Sequence, residues 1–288
     1  MQQDQESTTS GSRCSTKSLV ESLQSSIVTD NQNFDPQIKG DQLRLDLMYR
    51  WMRLPTNAQR PDLALLWFER LQAQHLEPQR KYHTLMHLEE MLLTLDILVQ
   101  YSKNNNNNNN SDDDDTTVVL ALSSFDQQVL VLATFFHDAI YDVHSSTNES
   151  DSASLFRRYV HELQRNDCPF PTGLESRVTD CILATQHHAV QPDHPLCTSI
   201  FLDLDMAVLG KQPMAYLAYA ALIRQEYHHV PHAVYCNKRA EILEDFLKQS
   251  QIYGTSVFVQ ALEQRARDNV RQEIQLLRRG QIPGHENI

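Results

Sequence analysis

Glycine is scarce in this 288-residue chain, at 7 residues, and tryptophan scarcer still, at 2. So few glycines leave little material for the tight turns of a hairpin-rich β fold. Cysteine numbers 5, at positions 14, 168, 181, 197 and 236, an odd count with no CxxC spacing. Scattered thiols of this kind fit structural residues in a reducing compartment. Positive charge is short as well: 25 Lys+Arg stand against 37 Asp+Glu, for a formal charge of -12. Four of those acids form one run, Asp112 to Asp115. A chain without a basic cluster is excluded as a binder of nucleic acid polymer, whose phosphates need Lys and Arg. A small phosphorylated molecule in a locally positive or metal-bearing cleft stays compatible. The longest apolar run, VLVLATFF at 129–136, is far short of a membrane span. The opening MQQDQESTTS has no apolar core of a secretory signal. The expectation is a soluble, cytoplasmic protein without a membrane partner.

What is present is helical periodicity. Leu, Ala and Gln recur, and apolar residues return at helical spacing through 42–54, 62–75, 83–102, 124–142, 148–166, 174–188, 199–210, 214–230, 238–254 and 257–280. Pro61 and Asp62 suit a helix start. The 124–142 stretch is apolar nearly all round its middle, as in a buried central helix. No strand alternation or internal repeat stands out. The fold class is all-α, a single helical domain over 38–282. Residues 1–37, rich in Ser, Gln, Thr and Asp, read as a disordered tail that buries too little to offset chain entropy. The polar tract at 103–117 reads as a solvated loop inserted between two helices, since long surface insertions cost little closure entropy.

Three places carry polar residues with chemistry. In RKYHTLMHLEEML (80–92), His83 and His87 stand four apart and share one helix face. With 13 His in the chain, roughly one such pair arises by composition, so metal ligation and simple solvation both account for it. His228 and His232 repeat the spacing, but Pro231 argues against a continuous helix there. In FFHDAIYD, His137 and Asp138 close the most apolar helix. Buried, they need partners; a divalent cation would satisfy both, as would an Arg for Asp138 and a carbonyl for His137. In FLDLDMAVLG, Asp203 and Asp205 point in different directions on a helix, and spacing leaves open which faces the core. A His/His/Asp/Asp shell suits Mn²⁺, Fe²⁺, Co²⁺, Ni²⁺, Zn²⁺ or Mg²⁺ with open water positions.

The order H…HD…D on an all-helical chain resembles the HD superfamily of metal-dependent phosphohydrolases. RKYHTLMHLEEML, FFHDAIYD followed by NESDSA, ILATQHH, FLDLDMAVLG and LIRQEYHHV together look like a group of HD-domain phosphohydrolases, over roughly residues 60–275. The resemblance implies His87, His137, Asp138 and Asp205 as ligands of a divalent metal ion, Asp205 being preferred to Asp203 by its match to the family motif. YHTLMH is also similar to the Tyr-His-Asn-x-x-His signature of cyclic-nucleotide phosphodiesterases, with Thr84 in place of Asn. By that likeness His83 would protonate a leaving oxygen.

The same resemblance implies further site residues. Glu149 would help activate water, or else is an acid in a first helical turn behind an Asn148 cap. One of His187 and His188, which close ILATQHH, would bind a second metal or a substrate phosphate, His187 being the one singled out; a histidine there also suits the helix dipole. For substrate anions the candidates are Arg80, Lys81, Arg224 and Arg239, with Arg224 first because it sits in a motif of the resemblance; Arg grips phosphate through two donors, though surface charge or ion pairing is the commoner fate of an Arg. Tyr82 and Tyr141 could stack on a base or pack in the core. The implied activity is metal-dependent hydrolysis of a small phosphorylated metabolite or nucleotide. The competing reading is a catalytically inactive HD-fold module that binds a nucleotide or a protein.

Overall fold

The apolar stretch that begins at Ser124 becomes the helix around which half of the molecule packs. The computed structural model describes residues 16–26, 36–106, 121–189, 191 and 193–283, and among them there are eleven α-helices and no strand. In chain order these are α1 (Thr16–Ser26), α2 (Pro36–Met52), α3 (Pro61–His75), α4 (Leu85–Asn106), α5 (Ser124–Phe136), α6 (Asn148–Arg165), α7 (Leu174–Ala184), α8 (Leu196–Met206), α9 (Pro213–Glu226), α10 (His232–Lys248) and α11 (Ser256–Arg278). A 3₁₀ turn, Ala207–Gly210, extends α8. No described helix is long and apolar enough to cross a membrane.

The boundaries follow local chemistry. Ser123 and Asp126 form a reciprocal capping box at the start of α5, each side chain accepting the other's backbone N–H. Pro61 and Pro213 occupy the first helical position of α3 and α9, where the missing N–H costs nothing. Pro231 precedes α10 and separates His228 from His232, as the proline predicts. At the end of α11, Gly280 takes φ +70°, its N–H donates to Leu277 O and that of Gln281 to Leu276 O. This left-handed closure satisfies two carbonyls that the helix leaves open.

Two groups of helices meet along the chain. α5 packs against α4, α6, α7 and α8; α11 packs against α1, α9, α10 and the 3₁₀ turn. An aromatic cluster joins α2, α3, α5 and α6: Trp51 meets Phe135 edge-on at 5.2 Å, Trp67 meets Tyr159 at 5.4 Å, and Phe136 meets Phe156 at 5.1 Å. Each such ring contributes roughly 1.5–3 kcal/mol by leaving water. The indole N–H groups still find acceptors, Ala64 O for Trp51 and Glu162 Oε2 for Trp67.

Three sequence expectations change. Within the stretch read as a disordered tail, Thr16–Ser26 is a helix whose Leu19 and Leu23 are buried, and Gln24 donates to Ala261 O on α11. One apolar pair four residues apart is enough to dock a helix, and a composition dominated by Ser and Gln hides it. The rest of that stretch up to residue 35 lies outside the described residues, as do positions 107–117 of the inserted tract and 118–120 after it; α4 itself runs on to Asn106. The helix expected over 124–142 stops at Phe136, with His137 as its last residue of helical geometry. The helix expected over 174–188 stops at Ala184, and His188 sits at φ +44° in the turn beyond.

Replacing Leu23 by Ala is expected to destabilise the protein by about 2–5 kcal/mol in denaturant unfolding. An unchanged midpoint would show that α1 is not docked.

Candidate metal centre

Four elements bring side chains to one point. His87 lies in the first turn of α4, His137 and Asp138 at the end of α5, Asp205 near the end of α8, and His188 in the turn after α7. The ligand atoms of His87, His137 and Asp205 all lie within 4.8 Å of one another, close enough to hold one metal ion. His87 Nε2 is 3.0 Å from Asp205 Oδ1, and His188 Nε2 is 2.8 Å from Asp205 Oδ2. The rings of His87 and His137 meet edge-on at 5.4 Å between centroids.

His137 tests whether a cation fits. Its Nδ1 is 3.0 Å from the carbonyl of Thr134, one turn back on α5. A carbonyl only accepts, so Nδ1 carries the hydrogen, and in the neutral ring Nε2 presents a lone pair. That atom is buried and has no hydrogen-bond partner among the described residues. It stands 3.0 Å from Asp138 Oδ2 and 3.7 Å from Asp205 Oδ1. A lone pair beside two carboxylates in a buried setting is repulsive unless a positive charge lies between them. Burial opposes charging His137, yet Asp138 and Asp205 outweigh it and lift its pKa to about 9. Burial likewise opposes ionising the two acids, but the imidazoles hold both below the usual carboxylate range. A proton on Nε2 or a metal ion supplies that positive charge, and the donor set of imidazole nitrogen and carboxylate oxygen suits a metal ion.

Of the two aspartates in FLDLDMAVLG, Asp205 is the one that faces the imidazoles. Asp203 is buried on another side, where it accepts N–H from Gly254 and Thr255 and the hydroxyl of Thr255, binding α8 to the start of α11. Burial, only partly offset by those donors, raises its pKa to about 7.

His83 sits one turn before His87, 6.1 Å between ring centroids, in the turn that leads into α4. Its Nδ1–H donates to Glu226 Oε2 at 2.7 Å. The other oxygen of Glu226 accepts three successive backbone N–H groups, from Lys81, Tyr82 and His83, and Tyr141 OH donates to Oε2 at 2.9 Å. Such a run of amides is a ready anion nest. Burial alone would raise the pKa of Glu226; the His83 bond and the amides overcome it and bring it down to about 2. Burial also resists charging His83, but Asp138 and Glu226 prevail and raise its pKa. The ring of Tyr141 lies over His83 at 4.3 Å, and Tyr82 packs against both His83 and His87. A cavity of about 550 Å³ opens beside Glu226 and Tyr141.

Four residues expected at the site are placed otherwise. The buried guanidinium of Arg80 donates to the carbonyls of Asp138 and Ala139 and pairs with Glu77, because the chain leaving α5 exposes carbonyls that need donors. Arg224 closes the end of α9 by donating to Tyr227 O and Val230 O, with its guanidinium over the Tyr235 ring. Glu149 stands half-exposed in the first turn of α6 and makes no hydrogen bond or ion pair with the cluster; Thr147, not Asn148, is the N-cap. His187 is exposed, and its neighbour His188 reaches Asp205 instead, since the positive φ at His188 turns the chain at that residue. Sequence reasoning missed Glu226 altogether. Its signal was an acid in LIRQEYHHV, beside the arginine that drew the attention. Comparison with family models, with curated proteins and with solved structures finds no match for this chain.

Glu226 carries a pH test. Its pKa of about 2 in the folded state lies below the ordinary 4.5. Its stabilisation is therefore complete above that ordinary value and fades as pH falls toward the folded one; the gap is worth roughly 3 kcal/mol. In metal-free protein, the stability lost on Glu226→Gln should be largest near neutrality and shrink by most of that amount in acid. A difference that stays constant with pH would remove the charge of Glu226 as the cause.

Proposed function

We propose that this chain is a metal-dependent phosphohydrolase of the HD-superfamily kind, acting on a small phosphorylated molecule such as a nucleotide. The observation that carries the reading is the unpaired Nε2 of His137, turned toward the carboxylates of Asp138 and Asp205. His87, His137 and Asp205, whose ligand atoms cluster, would hold a divalent ion of the Mn²⁺, Fe²⁺, Co²⁺, Ni²⁺, Zn²⁺ or Mg²⁺ type, with Asp138 beside His137 as the fourth ligand and His188 as a further donor on Asp205. Bound there, such an ion supplies Lewis acidity toward water and toward a phosphoryl oxygen. The quoted motifs, in the order of that superfamily, support the same reading.

His83 supplies the proton. Glu226 accepts its Nδ1–H, which fixes the tautomer and favours the charged ring, while Nε2 makes no hydrogen bond within the described protein. An imidazolium with one nitrogen held and the other free is arranged to protonate a departing alkoxide. Glu226 is itself fixed by three amides and Tyr141, so it orients His83 without moving. Arg80 acts at one remove, bracing the Asp138 backbone.

Metal analysis of the purified protein should find a bound divalent ion. Turnover should appear in a panel of nucleotides and phosphomonoesters assayed with Mn²⁺, Co²⁺, Ni²⁺ and Mg²⁺. His137→Ala combined with Asp138→Ala is expected to lose both metal and turnover, and full activity in that variant would end the proposal. Metal and ligand binding without product across the panel would favour the inactive binding module. His83→Ala should keep the metal but lower kcat by about 100-fold or more, and Glu226→Gln by roughly 10- to 100-fold. Equal loss of metal and rate in His83→Ala would make His83 a ligand rather than the acid.

A further inference from the structure

The cavity beside Glu226 and Tyr141 has a second histidine group at its mouth. His144 comes from the turn between α5 and α6, and His229 from the connection between α9 and α10. Their rings lie 4.1 Å apart between centroids, closer than His87 and His137 at 5.4 Å. Both side chains are exposed, and no ring nitrogen of either makes a hydrogen bond among the described residues. Asp142 stands beside them; its Oδ1 accepts the backbone N–H of His144, and its other oxygen makes no hydrogen bond among the described residues. His228 also lines the cavity, with Nδ1 committed to Gln225 O and Nε2 left as an acceptor.

We infer that His144 and His229 form a second metal site, for a borderline transition-metal ion such as Zn²⁺, Ni²⁺ or Cu²⁺, separate from the cluster around Asp205. Two free imidazoles from different segments are in place, and water can complete the sphere. The alternative occupant, an anion, meets the wrong field. The cavity is lined by the acids Glu77, Asp142 and Glu226 and by no Lys or Arg. The inference stands on residues outside the proposed catalytic group. If the phosphohydrolase reading also holds, the outer ion would give a cavity without basic residues a positive charge where an anionic ester enters.

The test is Zn²⁺ titration of full-length, untagged protein, first stripped of bound metal with a chelator, by calorimetry near pH 7.5, with circular dichroism to verify folding. The expected result is two equivalents for the wild type. His144→Ala with His229→Ala should keep the inner equivalent and lose the outer. His87→Ala with His137→Ala should do the reverse, which separates failure of the two sites. Unchanged stoichiometry in the His144/His229 variant would overturn the inference. So would binding of inorganic phosphate, without metal, that disappears in that variant.

Discussion

A carboxylate inside a protein needs hydrogen bonds or a cation, and an imidazole with one nitrogen committed to the backbone has only the other to offer. Where α4, α5 and α8 meet, both conditions fall on the same small volume. The carbonyl of Thr134 orients His137 so that its free nitrogen points at two acids, and His87 and His188 approach Asp205 from two other segments. Hydrophobic packing alone would not gather these groups. Their desolvation is compensated only if charge is shared among them, and a metal ion does this with the fewest unpaired atoms.

Much of the surrounding polar structure serves to hold that geometry. Arg80, buried and charged, ties together the chain just beyond α5 so that Asp138 cannot drift. Asp203 binds α8 to α11 through the amides of Gly254 and Thr255, which sets the rotation of α8 and hence the direction of Asp205 two residues on. Glu226 reaches from the end of α9 to the turn before α4 and fixes both the backbone and the ring of His83. The aromatic core under α5 keeps its end rigid. In each case a residue away from the centre removes a freedom from one that is in it.

The helices themselves were legible because their apolar residues repeat at 3.6 spacing, and prolines and the Ser123 cap mark their starts. So was the gathering of histidines and aspartates of YHTLMH, FFHDAIYD and FLDLDMAVLG, since polar residues in apolar segments must find partners. Three things could not be read. Helix ends are decided by tertiary partners: α5 stops at Phe136 with Arg80 donating to the carbonyls just beyond, and that donor arrives from elsewhere in the chain. A choice between adjacent residues, His187 or His188, turns on one backbone dihedral. The Arg80 and Arg224 guanidiniums suit phosphate and carbonyl oxygen equally well, so residue type alone does not distinguish a substrate contact from a buried brace. Glu226 escaped because its partners are mostly backbone amides, which leave no mark in sequence.

The most direct measurement is anomalous scattering from crystals of the purified protein, collected across transition-metal absorption edges. The expected result is a peak bonded to His87 Nε2, His137 Nε2 and the carboxylates of Asp138 and Asp205. A structure in which His137 Nε2 instead bonds to water or protein, with no anomalous peak after soaking in Mn²⁺, Ni²⁺ or Zn²⁺, would contradict the metal centre and with it the proposed chemistry.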